Sequence, residues 1–97
     1  MPEPDVALTA WVHGAVQGVG FRWWTRCRAL EQGLTGYAAN QADGRVRVVA
    51  HGPRRACEEL LGVLEGGDAW PARPGRVDQV VVDWSEPRER FTGFVER

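Results

Sequence analysis

Hydrophobic and polar residues alternate most regularly near the start of the chain. Over residues 6–13, Val6, Leu8, Ala10 and Val12 fall on one side, and Ala7, Thr9, Trp11 and His13 fall on the other. This period of two predicts a β-strand with one buried face. Four more segments also have the composition of strands, and two of them, residues 45–51 and 77–84, are rich in valine. The predicted strands are residues 6–13, 34–40, 45–51, 77–84 and 90–96.

Two segments have helical spacing instead. From Phe21 to about Gln32, the apolar residues Trp23, Cys27, Leu30 and Leu34 recur at spacings of four, three and four. This spacing predicts a helix with that stripe packed inward, and Gly33 is placed to end it. A second helix is predicted to begin at Gly52-Pro53, since proline suits the first helical turn, and to end at Gly66-Gly67. Its apolar stripe is Cys57, Leu60, Leu61 and Leu64.

The order of these elements predicts the fold. Asp43-Gly44, in a turn formed by residues 41–44, is a hairpin signal between the second and third strands, and residues 68–76 are loop. The order is then β-α-β-β-α-β with one terminal strand, which predicts a ferredoxin-like α+β sandwich. Its sheet is expected to be antiparallel with two helices on one face. We expect one domain over residues 1–97, with residues 1–5 as a loose tail.

The charge and the cysteines of the chain indicate which partners and which cell compartment to expect. The formal net charge is −1, so no general basic field attracts nucleic acid or a membrane. The chain contains 12 arginines and no lysine. The sequence shows neither a signal peptide nor an apolar run of bilayer length, so a cytoplasmic protein is expected. Cys27 and Cys57 lie far apart in apolar stretches, as reduced core thiols do.

The segment from His13 to Arg22 has the features of an anion site. It runs from the end of a strand, through a loop containing Gly14, Gly18 and Gly20, into a helix N-terminus. Glycines allow successive N–H groups to point into one concavity, and the helix start adds unpaired amides and a positive dipole end. Arg22 in the first helical turn adds a guanidinium fork suited to phosphate.

Other chemistries fit the sequence poorly. Without lysine there is no P-loop, and Trp23 stands where a dinucleotide fingerprint needs its third glycine. No carboxylate accompanies His13 or His51 in a metal-binding pattern, and no G-x-S-x-G surrounds Ser85, so neither a metal nor a cofactor is expected. From the residues alone, a tight β–α turn accounts for the glycines as well as an anion site does.

Two ordered motifs resemble the signatures of the acylphosphatase family. Residues 12–22, VHGAVQGVGFR, resemble V-x-G-x-V-Q-G-V-x-F-R, and residues 33–46, GLTGYAANQADGRV, resemble G-L-x-G-[WY]-[VA]-x-N-x-x-D-G-x-V. The separation between Arg22 and Asn40 fits as well, and the likeness extends from about Val6 to Glu96. The resemblance implies a hydrolase that splits the carboxyl–phosphate bond of acyl phosphates by in-line attack of water.

The resemblance also implies a set of site residues. The loop would bind the phosphate through Ala15, Val16, Gln17, Gly18, Val19 and Gly20. Arg22 would bind it from the side, and Asn40 would hold the attacking water, so Arg22 and Asn40 are the expected catalytic residues. The expected partner is a small acyl phosphate, with inorganic phosphate as product and inhibitor, and the protein is expected to be a monomer. Without the resemblance, a turn position before Asp43-Gly44 would account for Asn40.

One segment departs from the family pattern, and two other functions stay open. Residues 66–76 are longer than the usual link, and Trp70 either lies exposed there or caps the core. A non-catalytic phosphate or acyl-phosphate sensor would use the same loop. An RNA-binding ferredoxin-like module would instead stack bases on sheet aromatics, but the third strand, residues 45–51, contains none.

Overall fold

A computed structural model of the chain describes residues 4–97, and in this range it contains five strands and two helices. In chain order they are β1 (Asp5–Ala15), α1 (Phe21–Glu31), β2 (Thr35–Asn40), β3 (Val46–Pro53), α2 (Arg54–Leu64), β4 (Arg76–Ser85) and β5 (Phe94–Glu96). The predicted element order is confirmed. The tail predicted over residues 1–5 lies largely outside the described residues, and Asp5 already pairs with Pro53 in the sheet.

The strands form one sheet in the order β4-β1-β3-β2-β5. The pairs β1–β3, β1–β4 and β2–β3 are antiparallel, as the predicted ferredoxin-like fold requires. The short β5 pairs parallel with β2, so the complete sheet is mixed and the prediction of a purely antiparallel sheet needs this correction. Neither helix in residues 4–97 is long and apolar enough to cross a membrane.

The last strand begins at Phe94 rather than at residue 90, where it was predicted. The reason is topological, because β4 and β5 lie at opposite edges of the sheet and the chain between them has to cross it. Residues 86–93, which we call the strap, make this crossing over the face without helices. Phe91 of the strap packs against Tyr37 and His51, with ring centroids 5.6 and 4.8 Å apart.

The core lies between the two helices and the opposite face of the sheet. The alternation predicted for β1 is confirmed, since Leu8, Ala10 and Val12 are fully buried. The central strand β3 contributes buried residues in the same way. Helix α2 packs on β1 and β3, and α1 packs on β2 and β5. The core residues with the largest side chains are Trp24, Phe21, Phe94, Leu8, Leu34, Leu60 and Leu64.

The predicted apolar stripe of α1 is wrong, although the helix itself is confirmed. Trp23 is 53% exposed and Leu30 is 42% exposed, whereas Trp24 is only 2% exposed. The buried face of α1 includes Thr25 and Arg28, and these polar residues conceal its phase in a hydrophobicity pattern. Because tryptophan occupies two adjacent positions, either phase places a large apolar side chain on the core side.

The long link between α2 and β4 is hydrogen-bonded to both helices. The Nε1 of Trp24 donates to the carbonyl oxygen of Pro71 at 2.6 Å, and Arg28 donates to the carbonyl oxygen of Trp70. Arg73 Nη1 donates to the carbonyl oxygen of Leu64 at 2.7 Å. The Trp70 side chain itself is 88% exposed, so of the two alternatives left by the sequence, exposure is the correct one.

Both cysteines are free thiols, but their surroundings differ. Cys57 is fully buried between α2 and β3, with its Sγ 3.8 Å from the carbonyl oxygens of Ala50 and Gly52. Burial raises the pKa of the Cys57 thiol to about 11, so it stays protonated and unreactive near neutral pH. Cys27 is only half-buried.

The two neighbouring tryptophans provide a stability test of the α1 packing. We expect Trp24→Ala to lower the free energy of unfolding by about 3–5 kcal/mol, because it removes a buried ring and its hydrogen bond to Pro71. Trp23→Ala, on the solvent side of the same helix, should change it by no more than about 0.5 kcal/mol. Urea unfolding of both variants measures the difference, and equal losses would contradict this packing.

Candidate active site

The loop between β1 and α1 turns through two glycines with left-handed backbone angles. We call residues 15–20 the glycine loop. Gly18 and Gly20 have φ angles of 74° and 84°, in the left-handed region that side chains disfavour. Gly20 is the N-cap of α1, and its carbonyl oxygen accepts the first helical hydrogen bond from the Trp24 amide at 3.0 Å.

The N-terminus of α1 presents amides toward this loop. No side chain within the described residues caps it, since the N-cap is a glycine. The first turn contains Arg22 and no carboxylate, so its charge adds to the positive end of the helix dipole. An arrangement of unpaired amides, a helix dipole and a guanidinium group is suited to a phosphate dianion.

The glycine loop and the residue before it pack closely against the backbone around the start of β4, at two positions. A Cβ atom at Gly75 would overlap the carbonyl oxygen of Ala15 and press on Val19, and one at Gly14 would overlap the carbonyl oxygen of Arg76. Val16 of the loop is buried in the core. The loop is therefore seated against the start of β4 and cannot shift without disturbing that strand.

Arg22 and Asn40, predicted on separate elements, meet at the end of the chain. The Nη1 of Arg22 donates to the main-chain oxygen of Arg97 at 2.8 Å. The main-chain N–H of Asn40 donates to the same oxygen at 3.2 Å, and the Arg97 N–H donates to the carbonyl oxygen of Ala38 at 2.8 Å. The Arg22 guanidinium and the Asn40 backbone thus share one acceptor, which places them within a few ångströms of each other, at the end of the sheet where the glycine loop begins.

The β2–β3 turn that follows Asn40 is formed locally, as Asp43-Gly44 predicts. Gly44 has a φ of 94°, and the Gln41 N–H donates to the carbonyl oxygen of Arg45 at 2.8 Å. Asp43 accepts hydrogen bonds from the backbone N–H of Arg45 at 3.1 Å and from its Nε at 2.7 Å. These bonds, the backbone one foremost, hold the pKa of the Asp43 carboxyl below its usual value. Asp43 therefore stays ionised with its charge balanced by Arg45.

Sequence reasoning missed three contributions to this site. The oxygen of Arg97 joins Arg22 to Asn40, and Gly75 supports the glycine loop. The Gln17 side chain donates to the carbonyl oxygens of Gln41 and Arg45, whereas the sequence assigned only its main chain to the phosphate. Neither Arg97 nor Gly75 belongs to a motif, so only the three-dimensional structure brings them in.

A second concavity lies on the helix-free face of the sheet. This groove has a volume of about 260 Å³, and Trp11, Tyr37, Arg47, His51 and Phe91 are among its lining residues. None of the predicted site residues lines it. Residues 4–97 also contain no group of three or more histidine, cysteine, aspartate or glutamate side chains arranged to hold a metal ion.

Comparisons with known proteins identify the family of this chain. Residues 8–95 match the model of the acylphosphatase family. An acylphosphatase of Mycobacterium avium (strain 104) is 78% identical over 97 residues, and one of Mycobacterium tuberculosis (strain ATCC 25177 / H37Ra) is 69% identical over 97 residues, covering 100% of both chains in each case. The crystal structure of an acylphosphatase from Bacillus subtilis superposes with a TM-score of 0.83 at 29% identity, covering 95% of this chain and 98% of that one. The chain therefore belongs to the acylphosphatase family.

Proposed function

We propose that the glycine loop and Arg22 bind the phosphoryl group of an acyl phosphate while Asn40 holds the attacking water. The observation that supports this most directly is the shared acceptor, the oxygen of Arg97, which brings the Arg22 guanidinium and the Asn40 backbone together. The loop amides and the N-terminus of α1 supply the remaining donors. The phosphoryl group would then be bound by the glycine loop and α1, and the water would be bound by β2.

The activity of the chain is hydrolysis of the carboxyl–phosphate bond, as its family and fold establish. In this reaction the water oxygen forms a bond to phosphorus while the bond from phosphorus to the carboxyl oxygen breaks. Negative charge spreads over three equatorial oxygens in the transition state, so catalysis consists mainly of positioning and charge stabilisation. The amides and Arg22 are suited to both tasks.

The proton balance explains why a neutral asparagine is sufficient. The leaving carboxylate is a weak base, so it departs without a general acid. A phosphate oxygen of the substrate accepts the proton from water. Asn40 accepts and donates hydrogen bonds without charge, so it orients water without repelling the phosphate dianion. A carboxylate at this position would be repelled by the substrate.

The two alternative functions differ in how well the structure supports them. An RNA-binding sheet needs exposed aromatic faces, but Tyr37 is only 7% exposed, with Phe91 edge-on against it and the Arg97 guanidinium carbon 4.1 Å from its ring centroid. A silent phosphate sensor would need the glycine loop and Arg22 but no residue for water. The position of Asn40 favours the enzyme over the sensor.

We further propose that the enzyme works as a monomer in the cytoplasm on a small acyl phosphate, with no nucleic-acid or membrane partner. The proposed site draws on the glycine loop, α1, β2 and Arg97 of a single chain, so a second copy is not needed to complete it. Two free thiols suit a reducing compartment. The net charge of −1 gives no general attraction to polyanions.

Replacing Arg22 tests phosphate binding. We expect Arg22→Ala to lower kcat/KM for an aryl acyl phosphate such as benzoyl phosphate by at least ~10²-fold, the scale for removing one preorganised charge stabiliser. Phosphate affinity should fall too, because the guanidinium touches ground state and transition state alike. Substrate loss is followed by ultraviolet absorbance, and inorganic phosphate is titrated as a competitive inhibitor.

Arg26→Ala is the matched control for this variant. Arg26 lies on the same helix and its Nε likewise donates to a main-chain oxygen of the C-terminal segment, that of Phe94, at 3.0 Å. It should retain nearly normal kcat/KM. Near-normal turnover of Arg22→Ala, or equal loss in both variants, would rule out the assigned role.

Replacing Asn40 separates chemistry from binding. In Asn40→Ala the loop amides and Arg22 remain, so inorganic phosphate should bind with nearly unchanged affinity while kcat falls steeply through lost orientation of water. Asn40→Asp keeps the shape but places a negative charge near the bound dianion, so it should impair phosphate binding as well. Phosphate titration and rate measurement on each variant decide the matter. Loss of phosphate affinity in Asn40→Ala as severe as in Arg22→Ala would place Asn40 in the anion site instead.

A further inference from the structure

The side chain of Gln17 connects the two halves of the proposed site. Its Nε2 donates to the carbonyl oxygen of Gln41 at 2.8 Å and to that of Arg45 at 3.0 Å. Gln17 belongs to the glycine loop, whereas Gln41 follows Asn40 directly in the chain. An amide NH₂ group has two protons, and both are used on the β2–β3 turn. A single side chain therefore connects the loop to the residue that follows the proposed water-binding residue.

The turn does not depend on Gln17 for its own shape. The carbonyl oxygen of Arg45 also accepts the Gln41 N–H at 2.8 Å, and that of Gln41 accepts the Gly44 N–H at 3.1 Å. Asp43 and Arg45 add their hydrogen bonds and ion pair within the turn. These interactions keep β2 and β3 joined when Gln17 is removed. The bonds from Gln17 are therefore additional ones, spanning 24 and 28 residues of sequence.

Apart from Gln17, the loop and Asn40 are related through the sheet, because Val12 at the end of β1 and Asn40 at the end of β2 both pair with Val46 of β3. The glycine loop is seated on Gly75 and on the start of β4, on one side of β1. Asn40 is held by Val46 of β3 and by the Arg97 oxygen, on the other side. Arg22 reaches Arg97 from α1, but that contact fixes the guanidinium and not the amides of the loop. The hydrogen bonds of Gln17 add a direct side-chain connection between the loop itself and the residue that follows Asn40.

We propose that the Gln17 side chain is a positioning residue that sets the line of attack between the water held by Asn40 and the phosphoryl group held by the loop. The inference rests on the proposed function. In-line displacement requires the water oxygen, the phosphorus and the leaving oxygen to align, and a misplacement of about 1 Å can cost ~10²-fold in rate. The Nε2 group of Gln17 donates to the carbonyl oxygens of Gln41 and Arg45, so it is not free for a reactant. It acts through Asn40.

The test combines Gln17→Met with Asn40→Ala. Methionine has a similar length but no donor, so it removes both hydrogen bonds and introduces no charge. We expect Gln17→Met to lower kcat for benzoyl phosphate by ~10- to 100-fold. The inhibition constant of inorganic phosphate should stay within about threefold, because the loop amides and Arg22 remain. In the Asn40→Ala background, Gln17→Met should lower kcat little further, because the water it serves to position is already lost.

A control variant on β4 and two possible results decide whether Gln17 acts through Asn40. Gln79→Met makes the same exchange at an exposed position on β4 and should leave kcat unchanged. If the double variant lowers kcat by the product of the two factors measured for Gln17→Met and Asn40→Ala alone, Gln17 does not act through Asn40. If Gln17→Met loses phosphate affinity in proportion to kcat, its role is to shape the loop. Either result overturns the inference while leaving the proposed function intact, whereas near-normal turnover in Arg22→Ala and Asn40→Ala overturns the function itself.

Discussion

An uncapped helix N-terminus at the end of a central strand is the constraint around which this protein is organised. The N–H groups in the first turn of α1 have no side-chain cap within the described residues, and the preceding backbone turns through two left-handed glycines, Gly18 and Gly20. Such a terminus is unfavourable unless water or an anion satisfies it. It is kept in place by packing behind it, where Phe21 and Trp24 lie buried against the sheet. The residues that pack into the core at the start of α1 thus also hold the amides that are proposed to bind phosphate.

The fold then brings the remaining chemistry to that terminus. Because β1 and β2 both flank β3, the end of β1 that leads into the glycine loop lies close to the end of β2 that carries Asn40. The main chain of the last residue, Arg97, continues alongside β2 and accepts hydrogen bonds from both Arg22 and Asn40. The reaction itself needs little acid–base chemistry, since the leaving group is a carboxylate. The proposed site, which consists of amides, one guanidinium and one carboxamide, is suited to such a reaction.

The sequence predicted the order of the elements and the fold class, but not how the residues of the proposed site are held in place. Alternation along β1, the Asp43-Gly44 turn and the glycines of residues 14–20 are local signals, and each predicted its element correctly. The phase of α1 was predicted wrongly because adjacent tryptophans and the buried Arg28 blur its apolar face. The strap and the parallel pairing of β5 depend on where β4 ends relative to β2, which no local pattern encodes. Contacts from Gln17 and Arg97 span long stretches of sequence and follow from the tertiary structure alone.

Nuclear magnetic resonance tests most directly whether the glycine loop and the N-terminus of α1 bind phosphate. Titration of inorganic phosphate into ¹⁵N-labelled protein reports on each backbone amide separately. We expect saturable chemical-shift changes concentrated on residues 15–23, with a smaller change at Asn40. The amides of the groove residues Trp11, Arg47 and Phe91 should stay unchanged, since they lie on the helix-free face. Saturable changes centred on that groove, with the glycine loop unaffected, would contradict the account.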